Sequence, residues 1–140
     1  MKRLTLAALI LSAFALGADC PNPPPFPSPK VIYKGATSDS GFIRYVFEVV
    51  NRSQYTDALF AASPALPACG LNTKASRTWL RIYDNQGKYL YAYCALTKNA
   101  EMAKLIFSVK TTAPQPQGFF ITLEDRLCSK TVKSNVWLDL

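Results

Sequence analysis

Along most of this chain, apolar residues recur at every second position. In Phe42–Val50, Ile43, Tyr45, Phe47 and Val49 fall on one side, and Arg44, Val46, Glu48 and Val50 on the other. A period of two is that of a β-strand with one buried face. Ala103, Leu105, Phe107 and Val109 alternate in the same way with Lys104, Ile106, Ser108 and Lys110, and Phe119, Ile121 and Leu123 with Phe120, Thr122 and Glu124. Lys30–Lys34 holds Val31, Ile32 and Tyr33, and a turn near Asp125–Lys130 leads to a last strand with Val132, Val136 and Leu138. Residues 51–77, with Pro64, Pro67 and Gly70, are irregular, and Asp57–Ala62 reads as a short strand or a helical turn. No helical period stands out beyond the N-terminal residues. About six to eight short strands at this spacing predict an all-β fold, an antiparallel β-sandwich.

Thr78–Asp84 and Lys88–Leu96 form the best-defined unit. Asn85-Gln86-Gly87 joins them as a three-residue hairpin loop, with the glycine at the left-handed position. A regular register then sets Tyr83 opposite Tyr89, Arg81 opposite Tyr91 and Trp79 opposite Tyr93. On the other face it pairs Ile82 with Leu90, Leu80 with Ala92 and Thr78 with Cys94. One face therefore gathers Trp79, Arg81, Tyr83, Tyr89, Tyr91 and Tyr93, with Arg81 placed for a cation–π contact with Tyr91. Three placements are open for it. It points outward as a ligand-binding surface, it is covered by residues 51–77 or by the proline-rich segment, or it is itself the core.

The first residues change the picture of where the chain works. Lys2 and Arg3 precede an apolar run from Leu4 to Leu16, and small residues follow at Ala15, Gly17 and Ala18. That order is a cleaved signal peptide over residues 1–18, too short for a membrane span. Asp19 precedes Cys20, where lipid attachment wants a small residue. Residues 19–29 form a proline-rich leader, with six prolines between 20 and 29, stiff and extended. Residues 30–140 form one domain. Of 16 Lys and Arg, two leave with the signal; 14 against 9 Asp and Glu give net +5. The charges are scattered, which argues against a nucleic-acid partner. Four cysteines, Cys20, Cys69, Cys94 and Cys128, in an exported chain read as two disulfides. They lack the close pairing of a zinc site, so neither metal nor cofactor is expected.

Catalytic chemistry finds little to stand on. The chain has no histidine, so Ser-His-Asp and Cys-His arrangements cannot form. Glu124 and Asp125 are adjacent and diverge along a strand, Asp84-Asn85-Gln86-Gly87 reads as a turn rather than a calcium loop, and Asn51-Arg52-Ser53 is a formal glycosylation sequon.

The segment Pro67-Ala68-Cys69-Gly70-Leu71-Asn72-Thr73-Lys74-Ala75-Ser76-Arg77-Thr78-Trp79, with Ile82-Tyr83-Asp84, Cys94-Ala95-Leu96, Asp125-Arg126-Leu127-Cys128 and Ser134-Asn135, resembles a group of exported bacterial proteins with fibronectin type III or immunoglobulin-like domains of unassigned function. The resemblance spans roughly residues 42–136 and implies a sandwich, with no catalytic residue carried over. The chain departs from a true immunoglobulin domain: Cys94 follows Trp79 by only fifteen residues, and Ala92 stands where the tyrosine two residues before the second cysteine belongs. Of three possible disulfide connectivities, the expected one is Cys69–Cys94 with Cys20–Cys128, pinning the long loop to the hairpin and the leader to the far turn. The expected function is an exported, non-catalytic binding module for a protein or glycan, periplasmic or secreted. A self-associating structural subunit is the alternative, and a small hydrolase the third reading.

Overall fold

The computed structural model describes residues 20–63, 65–69, 71 and 75–140; the expected signal peptide, 1–18, lies outside them. The strands are β1 (Val31–Asp39), β2 (Phe42–Val49), β3 (Thr78–Asp84), β4 (Tyr89–Tyr93), β5 (Leu105–Lys110), β6 (Gly118–Asp125), β7 (Lys130–Lys133) and β8 (Trp137–Leu138). They form two antiparallel sheets, β1-β2-β5 and β4-β3-β6-β7, with β8 also paired to β6. This is the β-sandwich that the alternation predicts. Among the described residues no helix is long and apolar enough to cross a membrane.

The sheets meet through the alternate residues picked out above. Tyr45, Phe47, Val49, Leu105 and Phe107 from the smaller sheet pack against Leu80, Ile82, Phe119, Ile121 and Leu123 from the larger. Phe47 and Phe107 both lie against Phe119, with ring centroids 4.8 and 5.6 Å apart. Each fully buried ring adds about 2–3 kcal/mol relative to leaving it in water. Gly118 is required by close approach: a Cβ there would strike the carbonyl oxygen of Trp137 on β8.

One end of the sandwich is closed by the irregular segments. Short 3₁₀ turns at Arg52–Gln54, Asp57–Phe60 and Asn99–Ala103 bring Tyr55, Leu59, Phe60 and Met102 into the core. Asp57–Phe60 is therefore a helical turn. The leader crosses this end with Phe26 edge-on against Tyr55, and the Tyr55 hydroxyl donates to the Pro27 carbonyl. The Asn51 side chain ties it down further, accepting from the Lys30 amide and donating to the Ser28 carbonyl.

Cys20 is bonded to Cys128, and Cys69 to Cys94. Beside the first bond, the Arg77 guanidinium grips both oxygens of Asp125 at 2.8 Å, with its Nη2 3.1 Å from Cys128 Sγ. Asp125 also accepts from the amides of Leu127 and Cys128. Burial opposes its ionisation, but the Arg77 bonds and these amides outweigh burial and hold the carboxyl below its ordinary pKa.

Three boundaries differ from the sequence reading. β1 runs on to Asp39 beside β2, although Ala36–Asp39 are exposed and show no alternation. The strand expected over Lys88–Leu96 stops at Tyr93, because Cys94 turns to its disulfide and Leu96 to the core. The last strand is split at Ser134, whose hydroxyl and amide bond the Ile121 backbone between β7 and β8.

Candidate functional site

The hairpin is built as its loop chemistry demands, but one residue alters its faces. Gly87 has φ +88°, the left-handed conformation open to glycine at little cost. The Asp84 carboxylate accepts from the Gln86 and Lys88 amides and fixes the turn. Tyr83 faces Tyr89 as predicted, and the register then shifts. Ile82 pairs with Tyr91, Arg81 with Ala92 and Leu80 with Tyr93. Leu90 is the extra residue of a β-bulge, which reverses the parity of the rest of β4. Leu90 packs on the core, and the bulge turns Tyr91 and Tyr93 to the same inner side, where Tyr93 reaches across to the other sheet.

The six residues expected on one face are therefore divided. Trp79, Arg81, Tyr83 and Tyr89 stay on the outer face of the larger sheet. Tyr91 and Tyr93 belong to the lateral opening between edge strands β4 and β5. The pairings Arg81–Tyr91, Trp79–Tyr93, Ile82–Leu90, Leu80–Ala92 and Thr78–Cys94 are not formed, and the expected Arg81–Tyr91 contact is replaced by Arg81 at 5.4 Å from the Trp79 ring.

On the outer face, β6 and β7 complete what β3 begins. Register places Trp79 beside Glu124, Arg81 beside Thr122 and Tyr83 beside Phe120, and Lys133 beside Thr122. Tyr83 stacks on Phe120 at 5.2 Å and meets Tyr89 edge-on at 6.1 Å. Arg126 lies 3.8 Å over Trp79, and Lys133 4.0 Å over Phe120. Arg81 is ion-paired with Glu124. Tyr89 is 55 % exposed, while Trp79, Arg81 and Tyr83 are half-buried, with Arg126 lying over the Trp79 ring. Sequence reasoning missed Phe120, Glu124, Arg126 and Lys133. The outward positions of β6 carried the signal, but β3 and β6 are paired across some forty residues of chain.

At the lateral opening, the Tyr93 hydroxyl donates to the Ile106 carbonyl at 2.7 Å and accepts from the Ile106 amide at 2.9 Å. One side chain thus satisfies both edge-facing backbone groups of that residue on β5. Burial raises the Tyr93 pKa, partly offset by its bond to Ile106. Tyr91, 49 % exposed, stands beside it. With Arg44, Ile106 and Ser108 the two tyrosines line an open concavity of about 420 Å³. At the opposite end from the leader, the β3–β4 turn and residues 113–117 enclose a second of about 290 Å³.

Chemically, the outer face offers fixed cations on aromatic supports, and the opening offers the exposed Tyr91 beside an edge strand that Tyr93 already engages. Both suit recognition. Comparison with known protein families, with curated proteins and with solved structures finds no match to this chain.

Proposed function

We propose that this chain is an exported, non-catalytic binding module of fibronectin type III or immunoglobulin-like kind that holds its ligand on the outer face of the larger sheet. The observation that carries the reading is the convergence there of Trp79, Arg81, Tyr83, Tyr89 and Phe120 with Arg126 and Lys133. Tryptophan, tyrosine and arginine dominate binding surfaces because they combine large contact area with a polar handle. Two disulfides and the signal-like residues 1–18 support delivery to an oxidising space. The three-plus-five division of strands supports the kinship suggested by the sequence motifs. Strand β4 lies beside β3, whereas the fourth strand of a constant-type immunoglobulin domain joins the first sheet. Edge-to-edge self-association is the weaker reading, since Tyr93 occupies the edge of β5 at Ile106.

The test is a screen of the oxidised protein against immobilised glycans and a displayed-peptide library, repeated with Tyr89→Ala. Tyr89 is exposed at the start of edge strand β4, so its removal should leave the fold intact. A ligand whose affinity drops at least tenfold in Tyr89→Ala, but not in Lys34→Ala on the other sheet, supports the reading. Ligands indifferent to Tyr89→Ala overturn it.

A further inference from the structure

We infer that the ligand of this outer face is an anionic polysaccharide; the inference rests on the binding reading above and names its ligand class. Arg81, Arg126 and Lys133 stand there against one carboxylate, Glu124, leaving two positive charges. Glu124 neutralises Arg81. Among the described residues neither Arg126 nor Lys133 lies within ion-pair distance of a carboxylate. Each is instead held on an aromatic ring, which fixes the cation in place before any ligand arrives and lowers the ordering cost of binding. Trp79 pairs with Glu124, and Phe120 lies four residues along the same strand, so the two supported cations are about 14 Å apart along the sheet. Charges at that spacing along one sheet face match an extended chain of repeated negative groups.

Other ligand classes fit less well. Neutral sugars and nucleobases bind sheet surfaces by stacking on bare aromatic faces, but Arg126 covers Trp79 and Lys133 covers Phe120. A protein partner needs roughly 800 Å² of each surface. Four strands about 4.8 Å apart, over a run of four residues, present roughly 260 Å². An anionic chain needs only the charges and a few hydroxyl contacts around them.

The experiment measures binding of the full oxidised protein to immobilised polygalacturonate, heparin, neutral dextran and poly-L-glutamate. The expected result is retention on polygalacturonate or heparin and none on dextran. Affinity should fall about tenfold or more in Arg126→Gln/Lys133→Gln, since each charge-assisted contact carries a severalfold share. Lys34→Gln/Lys110→Gln, with the same loss of charge on the other sheet, should stay within about twofold. Because Arg126 also covers Trp79, the exposed Lys133→Gln is read alone if the double variant melts early, with an expected drop of about threefold. Three results overturn the inference: no binding to either anionic polysaccharide, binding unchanged in both Gln variants, or poly-L-glutamate bound as tightly as the polysaccharides. A neutral ligand lost in Tyr89→Ala but kept in the Gln variants sinks this inference alone, whereas ligands indifferent to Tyr89→Ala sink the binding reading beneath it.

Discussion

Asp125→Asn removes one charge from a nearly enclosed ion pair while keeping the shape of the side chain. The side chains of Arg77 and Asp125 are 15 % and 3 % exposed. In the variant, one of the two oxygens that receive the guanidinium becomes an NH₂ group facing N–H donors, and the charge on Arg77 loses its partner. Breaking a buried pair from one side costs about 3–5 kcal/mol. Arg77 retains some water, so the expected loss is about 2–3 kcal/mol, or roughly 10 °C in Tm for a domain of this size. Urea unfolding with the disulfides intact, followed by circular dichroism, measures it; the midpoint should fall with an unchanged slope. The effect also has a sign in pH. The folded-state pKa of Asp125 is lowered, so its contribution is complete above the ordinary carboxylate range and is lost as the pH falls through the folded value. Wild type and variant should therefore differ most near neutrality and converge in acid. A loss below about 0.5 kcal/mol, or a constant gap down to pH 2, would refute the reasoning that this pair holds the end of β3 to the turn after β6.

Two further outcomes are expected. Tyr93→Phe deprives the Ile106 amide and carbonyl of their shared partner, costing about 1 kcal/mol, and leaves the edge of β5 open; sedimentation velocity should show association rising with concentration, and a strictly monomeric variant would deny Tyr93 its role as an edge cap. The Cys20–Cys128 and Cys69–Cys94 bonds close loops with sequence separations of 108 and 25, so Cys-to-Ser replacement of the first pair should cost about 4.8 kcal/mol and of the second about 3.5 by chain entropy; a larger loss for the second pair in urea titrations would contradict this ordering.

Strands β2, β5 and β6 were legible because each buries one face along most of its length, which writes a period of two into the sequence. The far half of β1 was not, since Ala36–Asp39 have solvent on both sides and nothing constrains their polarity. The turn at Asn99–Ala103 is too short to show a helical period. The hairpin loop was legible from Gly87, but the bulge was not. Leu90 is apolar in either register, and tyrosine suits an outward or an edge position equally, so residues 88–93 carry no signal that separates the two. The binding face was half legible for a different reason. Its β3 contribution is local, whereas Phe120, Arg126 and Lys133 arrive through pairings between strands distant in sequence, which strand patterns do not encode. Tyr55, Leu59 and Phe60 were hidden likewise, because a segment that caps the end of a sandwich needs apolar residues but no periodicity.

The bond between Cys20 and Cys128 gives the domain an unusual response to tension. A pull applied at Cys20, the start of the leader, passes through the two sulfurs to the turn after β6 and leaves along the C-terminal residues. Strands β1 to β6 lie off that path, so only β7 and β8 carry load between the two ends. If the module anchors a ligand while its termini are under strain, its outer face stays assembled except at Lys133, on the one loaded strand that contributes to it.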